Sequence, residues 1–309
     1  MITPTGVFKM DYLLSLKKMI LEGFDVNCQL PGGFTPIYLC CYHNSIKCLE
    51  YLIGRGADVN SRNIEGRSSP VYICAKLGRE TCLDLLLQAG ASPDIPIGFE
   101  LETPLWIASS FGHLNICKKL VERGSDINST VNIYNNTPLA VSSYYGHYSI
   151  AKYLLEKGSD PNLRGAFGIT PLDFACSNGK WDCMELLLKS GSLVSHQDTS
   201  SKEESPFKIL IDRNDLTGLK ILFKFGGVRD IHTELKYSTI FKCSYEVSNF
   251  LFNWSPVYQD FWSTSNHRFQ KRELRRAVET AFPILYLRKE LPKELILKIL
   301  ENLKGVDFL

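Results

Sequence analysis

A Thr-Pro or Ser-Pro dipeptide returns along this chain at a nearly constant interval. Thr35-Pro36, Ser69-Pro70, Thr103-Pro104, Thr137-Pro138, Thr170-Pro171 and Ser205-Pro206 lie 34, 34, 34, 33 and 35 residues apart. Each opens an apolar stretch of helical spacing that closes near a Gly-Ala/Ser-Asp-x-Asn sequence. A period of this length is one supersecondary unit that cannot bury its apolar face alone, so neighbouring units stack and share a core. The period predicts an all-α solenoid of helix-turn-helix units. Such a fold offers a continuous binding surface rather than an enclosed active site.

The residues within one period have local reasons to sit where they do. Thr or Ser ahead of Pro can cap a first, inner helix, and Pro is tolerated in its first turn because the missing N–H has no intrahelical partner there. Gly112 and Gly146 end that helix, with Gly78 and Gly179 in the same register. The second helix, for example Ile150–Glu156, carries apolar residues at i, i+3 and i+4 spacing. Gly56, Gly90, Gly124, Gly158 and Gly191 stop it, and a short finger-like turn leads into the next unit.

These residues resemble the ankyrin repeat, whose units open with Thr-Pro-Leu-His-x-Ala and end in a Gly-Ala-Asp-Val-Asn turn. Thr35–Asn60, Thr103–Asn128 and Thr137–Asn162 match best, and Ser69–Asp94 nearly as well. Thr170–Ser195 lacks the closing Asp-x-Asn, and Ser205–Asp230 is degenerate. Met10–Asn27 reads as one inner helix plus the closing turn, a partial repeat suited to capping. The expected organisation is a capping partial repeat over residues 1–31 and six repeats over 32–230. A terminal cap and linker would follow over 231–267, and a separate helical region over 268–309.

Charge and cysteine usage narrow the function. Lys and Arg number 35 against 33 Asp and Glu, a net charge of +2 that gives no drive toward nucleic acid. No apolar run approaches a membrane span, and Met1-Ile-Thr-Pro-Thr lacks the basic-then-apolar form of a signal peptide. The expectation is a protein of the cytoplasm, with the nucleus also open to it. Cys40 and Cys74 replace the Ala of the inner helix, and Cys48, Cys82 and Cys183 replace an outer-helix Ile, so they are expected as small buried hydrophobes. Cys40-Cys41-Tyr42-His43 falls in repeat register rather than in a metal-ligand pattern, and no metal or other cofactor is expected. His113 and His147 stand at the Gly-His step, where they should tie neighbouring loops. Asp58, Asp126 and Asp160 recur in the turns, and no nucleophile elbow or phosphate loop is present. The chain is expected to be non-enzymatic.

The resemblance also locates a recognition surface. In ankyrin proteins the variable positions are the finger tips and the two residues before the Gly-His step. Here those pairs are Tyr42/His43, Lys76/Leu77, Ser110/Phe111, Tyr144/Tyr145 and Ser177/Asn178, with fingers at Phe34, Arg67, Phe99, Glu102, Tyr134 and Phe167. Aromatic side chains dominate the energetic centres of protein interfaces. The candidate substrate-binding set is therefore Phe34, Tyr42, Phe111, Tyr134, Tyr144, Tyr145 and Phe167, on the concave face. Tyr38, Tyr72 and Trp106, just after the Thr-Pro-apolar triplet, read mainly as core.

Residues 268–309 differ in kind. Leu295, Ile296, Ile299, Leu300 and Leu303 share one side of a terminal helix. Leu291-Pro-Lys-Glu-Leu-Ile-Leu-Lys-Ile-Leu-Glu-Asn-Leu303 resembles the opening of an F-box, and a shortened F-box after ankyrin repeats is the arrangement of the PRANC group. The segment is similar as well to a SOCS box, with Leu274, Val278 and Phe282 at the spacing of its elongin-docking helix and Leu291-Pro292 opening its cullin contact. Val278 stands where that family has Cys, and Glu294 where it has a second Pro. The two resemblances imply a Skp-type linker or elongin, plus a cullin, as partners. The implied contacts are Leu274, Val278, Leu291, Pro292, Glu294, Leu295, Ile299, Leu300 and Leu303. On this reading the chain is a monomer within a hetero-complex, a substrate receptor of a cullin-RING ubiquitin ligase. The alternative is a scaffold whose last helix is only a cap. Arg268, Lys271, Arg272, Arg275 and Arg276 alternate with Glu273 and Glu279, the pattern of a solvated helix face.

Overall fold

Each of the six periodic Thr-Pro or Ser-Pro steps starts a helix. The computed structural model of the chain describes residues 13–63, 68–95, 102–130, 135–194, 205–225 and 246–247. In it the hydroxyls of Thr35, Ser69, Thr103, Thr137, Thr170 and Ser205 each accept the backbone N–H three residues on, at 3.1 to 3.4 Å. Proline takes the first turn each time, where it removes no helical hydrogen bond. At Thr170 the cap is doubled, because Asp173 returns a carboxylate oxygen to the Thr170 N–H at 2.8 Å.

Thirteen α-helices occur among the described residues, with no β-strand. Helix α1 is Leu13–Leu21. Inner and outer helices then alternate: α2 (Pro36–His43), α3 (Ile46–Gly54), α4 (Pro70–Leu77), α5 (Glu80–Gln88), α6 (Pro104–Phe111), α7 (Leu114–Glu122), α8 (Pro138–Tyr145), α9 (Tyr148–Glu156), α10 (Pro171–Ser177) and α11 (Trp181–Lys189). A 3-10 turn at Ala166–Gly168 precedes α10, and α12 (Pro206–Asp212) and α13 (Leu216–Lys224) complete the order. The chain divides into two compact units, Met1–Leu193 with Asp198–Glu203, and Val194–Gln197 with Glu204–Leu309.

In the first unit each inner helix packs on the inner helix of the next repeat and each outer helix on the next outer one. The core is the layer between the two rows. Leu49, Leu52, Leu83, Leu86, Ile116 and Leu120 project into it from the outer helices and are fully buried. Cys40, Cys48, Cys74, Cys82 and Cys183 are buried as free thiols, as their register predicts, and Cys41, Cys117 and Cys176 are buried with them. Buried hydroxyls of the inner helices find partners inside their own helices: Ser109 donates to the Leu105 carbonyl at 2.8 Å and Ser143 to that of Leu139 at 2.7 Å.

The ends of the outer helices explain the closing motif. The N–H of Ala57 reaches back to the Leu52 carbonyl, Ala91 to Leu86, Ser125 to Leu120, Ser159 to Leu154 and Ser192 to Leu187. These are Schellman closures, and Gly56 and its equivalents take the left-handed conformation they require. Beyond them the turns are joined across repeats. A side-chain oxygen of Asn27, Asn60, Asp94, Asn128 and Asn162 accepts the backbone N–H of Asp58, Ser92, Asp126, Asp160 and Leu193, at 2.8 to 3.1 Å. The recurring aspartates Asp58, Asp126 and Asp160 hold these turns, each accepting the N–H two residues on.

The N-terminal helix corrects the sequence reading. Leu13–Leu21 packs against the outer helix α3, and its end is a Schellman closure from the Phe24 N–H to the Met19 carbonyl. It is an outer helix, where an inner one was expected. The physical reason lies downstream: the Gly-x-Asp-x-Asn turn at Gly56–Asn60, Gly124–Asn128 and Gly158–Asn162 follows an outer helix, and Gly23 to Asn27 follows this one.

In the second unit α12 and α13 form an antiparallel pair, with Phe207 and Phe223 edge to face at 5.9 Å between centroids. Gly218 lets them approach, since a Cβ there would collide with Leu210.

Candidate functional site

The inner helices are almost fully buried until their last two residues. There the side chains leave the core, because the helix ends in a left-handed residue that turns the chain toward the outer row. Asn44 in the first repeat and Gly78, Gly112 and Gly146 in the next three adopt it. Tyr42 is 46% exposed, Phe111 51%, Tyr144 39% and Tyr145 50%, figures that set them apart from an otherwise buried row.

The rings are held by one another. Phe34 stacks on Tyr38 at 4.9 Å and Tyr38 on Tyr42 at 6.4 Å. Tyr144 meets Tyr145 edge-on at 4.9 Å and Phe174 of the next repeat at 5.6 Å. Pre-fixed rings lose little rotamer entropy on contact with a partner, which favours binding. His113 and His147 set the base of this row. The Nε2 of His113 donates to the Lys76 carbonyl at 3.2 Å and that of His147 to Ser110 at 3.0 Å, fixing the tautomer since a carbonyl only accepts. Phe111 and Tyr145 stack on these two imidazoles, at 6.4 and 6.0 Å.

Of the other residues singled out, Tyr134, Arg67 and Phe99 lie outside the described residues. Phe167 sits in the 3-10 turn before α10, with its side chain outside the description. Leu274, Val278, Leu291, Pro292, Glu294, Leu295, Ile299, Leu300 and Leu303 lie outside the described residues, as do residues 268–309 as a whole. Tyr38 and Tyr72 are buried as expected, and burial raises the Tyr38 phenol above its ordinary pKa. The Tyr72 hydroxyl donates to Glu102 Oε2 at 2.5 Å. Trp106, read mainly as core, is only half-buried.

Sequence reasoning passed over Tyr148 and Trp181, both exposed. They open outer helices α9 and α11 in equivalent register, a position that helical periodicity alone counts as apolar and therefore as core.

A family model of ankyrin repeats in three copies matches residues 9–97 and 95–165, and a single-repeat model matches 167–199. The chain belongs to the ankyrin-repeat family. Among solved structures, the ankyrin repeat domain of human ASB11 is similar at 25% identity and a TM-score of 0.59, covering 67% of this chain and 90% of that one. No curated protein matches. Ankyrin repeats are protein-interaction modules in general, which makes this chain a protein-binding scaffold with protein partners.

Within this ankyrin array the two helix rows carry opposite electrostatic characters. The outer helices α3, α5, α7, α9 and α11 bear twelve charged side chains of both signs. Some stitch repeats together: Lys119 pairs with Asp84, and Asn115 donates to Glu80 at 2.9 Å. The five inner helices of the same unit bear two, Lys76 and Asp173. Asp173 is 3% exposed and engaged in the Thr170 cap. Among the described residues no cluster of His, Cys, Asp and Glu is placed to hold a metal ion, and no helix is long and apolar enough to cross a membrane.

Proposed function

We propose that this protein is a non-enzymatic adaptor that holds a target protein on its inner-helix row and recruits a cullin-RING ubiquitin ligase through residues 268–309. The single observation that carries target binding is the row of exposed rings Tyr42, Phe111, Tyr144 and Tyr145 on the first, third and fourth ankyrin units, each packed against a neighbouring ring. Exposed aromatics clustered in one register mark an interaction surface, whereas scattered ones are ordinary. Phe34 extends the row at its start, and Tyr134 and Phe167 are assigned to its fingers.

Ligase recruitment is supported by sequence resemblance. Leu291, Pro292, Glu294, Leu295, Ile299, Leu300 and Leu303 follow the F-box opening, while Leu274 and Val278 follow the SOCS-box helix. Either box would seat an amphipathic helix in a groove of a linker protein, a Skp-type linker or elongin. The proposed division is a cap over residues 1–31, six repeats over 32–230, a cap and linker over 231–267, and the recruiting box over 268–309. Proximity would do the work: tethering raises the effective concentration of target lysines near the ligase.

The test is co-purification from cells of the full chain and of its Leu291→Ala, Pro292→Ala variant. Recovery of a Skp-type linker or of elongins with the native chain alone supports recruitment and names the box. Equal recovery with both chains, or with neither, leaves the scaffold reading in its place. Tyr144→Ser, Tyr145→Ser should release the target while sparing the ligase partners.

A further inference from the structure

The charge segregation between the two rows restricts what the inner row accepts. An acidic side chain pressed onto desolvated aromatic rings loses hydration without recompense, and a basic one recovers part of it only over a ring face, so most of the partner's contact residues are expected to be uncharged. One exception is built in. Lys76 lies at the register of Tyr42 and Tyr144, in the repeat between Tyr42 and Phe111, and its Nζ sits 5.9 Å from the Phe111 ring centroid. No carboxylate pairs with it among the described residues. The nearby Glu102 carboxylate is held by the Tyr72 hydroxyl. The inner row thus presents one formal cation flanked on both sides by aromatic surface.

We propose that the inner row binds an extended peptide segment of the partner that carries a single acidic side chain on Lys76, between apolar side chains on Tyr42 and on Phe111. This rests on the reading of the aromatic row as the target-binding surface, and it adds the chemistry of the target.

The spacing follows from elementary dimensions. Packed helices stand about 8–10 Å apart, so one repeat advances the row by that distance. A polyproline-type strand rises about 3.1 Å per residue and repeats its facing side chain every third residue, an advance of roughly 9 Å. Each repeat therefore meets one side chain in three. The motif that fits Tyr42, Lys76 and Phe111 is apolar-x-x-acidic-x-x-apolar, with Pro permitted at x because no ladder hydrogen bonds are required. Discrimination comes from both terms. The acid gains a cation in a partly desolvated setting, and a basic side chain in its place meets the like charge of Lys76.

The experiment is selection of a phage-displayed library of random linear peptides on the full chain, followed by fluorescence anisotropy with a synthetic copy of the selected sequence. The expected result is selected peptides that share one Asp or Glu with apolar residues three before and three after. Lys76→Glu should weaken binding by at least about tenfold, Lys76→Gln by less, and a peptide with Lys at the acidic position should regain affinity for Lys76→Glu. Peptides that require Tyr42 and Phe111 yet bind Lys76→Glu as they bind the native chain overturn the acidic specificity and leave the aromatic row standing. Peptides indifferent to Tyr42→Ser, Phe111→Ser, or a selection that enriches nothing, overturn the row itself. Unchanged far-ultraviolet circular dichroism and melting temperature accompany every variant, since Tyr42, Lys76 and Phe111 all lie outside the core.

Discussion

The imidazole of His147 occupies the space that a Cβ on Gly112 would need. Its Cε1 lies 2.8 Å from that position, and its Nε2 is bonded to the carbonyl of Ser110 at 3.0 Å. Gly112 is also at φ +83°, a conformation that side chains rarely adopt. The same relation joins His113 to Gly78 one repeat earlier. In the next repeat Lys180 lays its aliphatic stem on Gly146 instead.

Two separable penalties should therefore appear at Gly112. Gly112→Ala is expected to destabilise the chain by about 2–4 kcal/mol, from left-handed backbone strain together with the collision. In the Gly112→Ala, His147→Ala double variant the collision term vanishes, so the two changes should cost less together than their sum. Urea midpoints for the four chains of the cycle measure the difference, and strict additivity would show that the imidazole simply moves aside.

Asn128 binds two groups of the next turn, accepting the Asp160 N–H and the Ser159 hydroxyl, both at 3.1 Å. Asn128→Ala leaves these donors without their partner and should cost about 1–2 kcal/mol. Asn128→Asp should be far milder, because Asp94 already performs this task for the Asp126 N–H at 2.9 Å. Thermal unfolding of the two variants checks the contrast.

Leu120 is fully buried between the rows. Leu120→Ala should lose about 2–5 kcal/mol through lost transfer energy and the cavity left behind. Lys119→Ala next to it breaks a half-exposed pair with Asp84 and should move stability by less than about 1 kcal/mol. Chemical denaturation that ranks the two the other way would contradict the burial pattern.

Cys117 should make stability fall at high pH. Desolvation by burial pushes its thiol from 9.0 up to about 11, against the opposing contact with the Ser109 hydroxyl. Below pH 9 both folded and unfolded chains keep the proton, and the thiol's contribution is fully present. As pH rises to 11 the unfolded chain ionises first, so that contribution drains away, by on the order of 2–3 kcal/mol. Cys117→Ala should lose correspondingly less stability over that window in urea titrations on either side of it.

Local chemistry made most of the array legible. The caps at Thr35 through Ser205 and the stops at Gly56 through Gly191 each satisfy backbone groups within a few residues, so their sequence signs are short and strong. The helix at Leu13–Leu21 was misassigned because inner and outer helices share one apolar period. Only the turn that follows tells them apart. The exposure of Tyr148 and Trp181 was invisible for a different reason: whether a first-turn residue is covered depends on the neighbouring repeat, not on its own helix. Lys76 was recognised as a surface position, but its isolation emerged only when the two helix rows could be compared.

Asn27, Asn60, Asp94, Asn128 and Asn162 each offer a side-chain oxygen to a backbone N–H of the next repeat, and Asn27 and Asn162 also donate Nδ2 to the Gly56 and Gly191 carbonyls there. The array therefore has a grain. A repeat folded at the amino-terminal side presents a finished acceptor to its successor, so structure can propagate in the order in which the chain is synthesised. Lengthening or shortening by one whole period returns every acceptor to a matching donor, while any other increment strands both. The molecule is divisible only into its own units, and change in its length comes in steps of one.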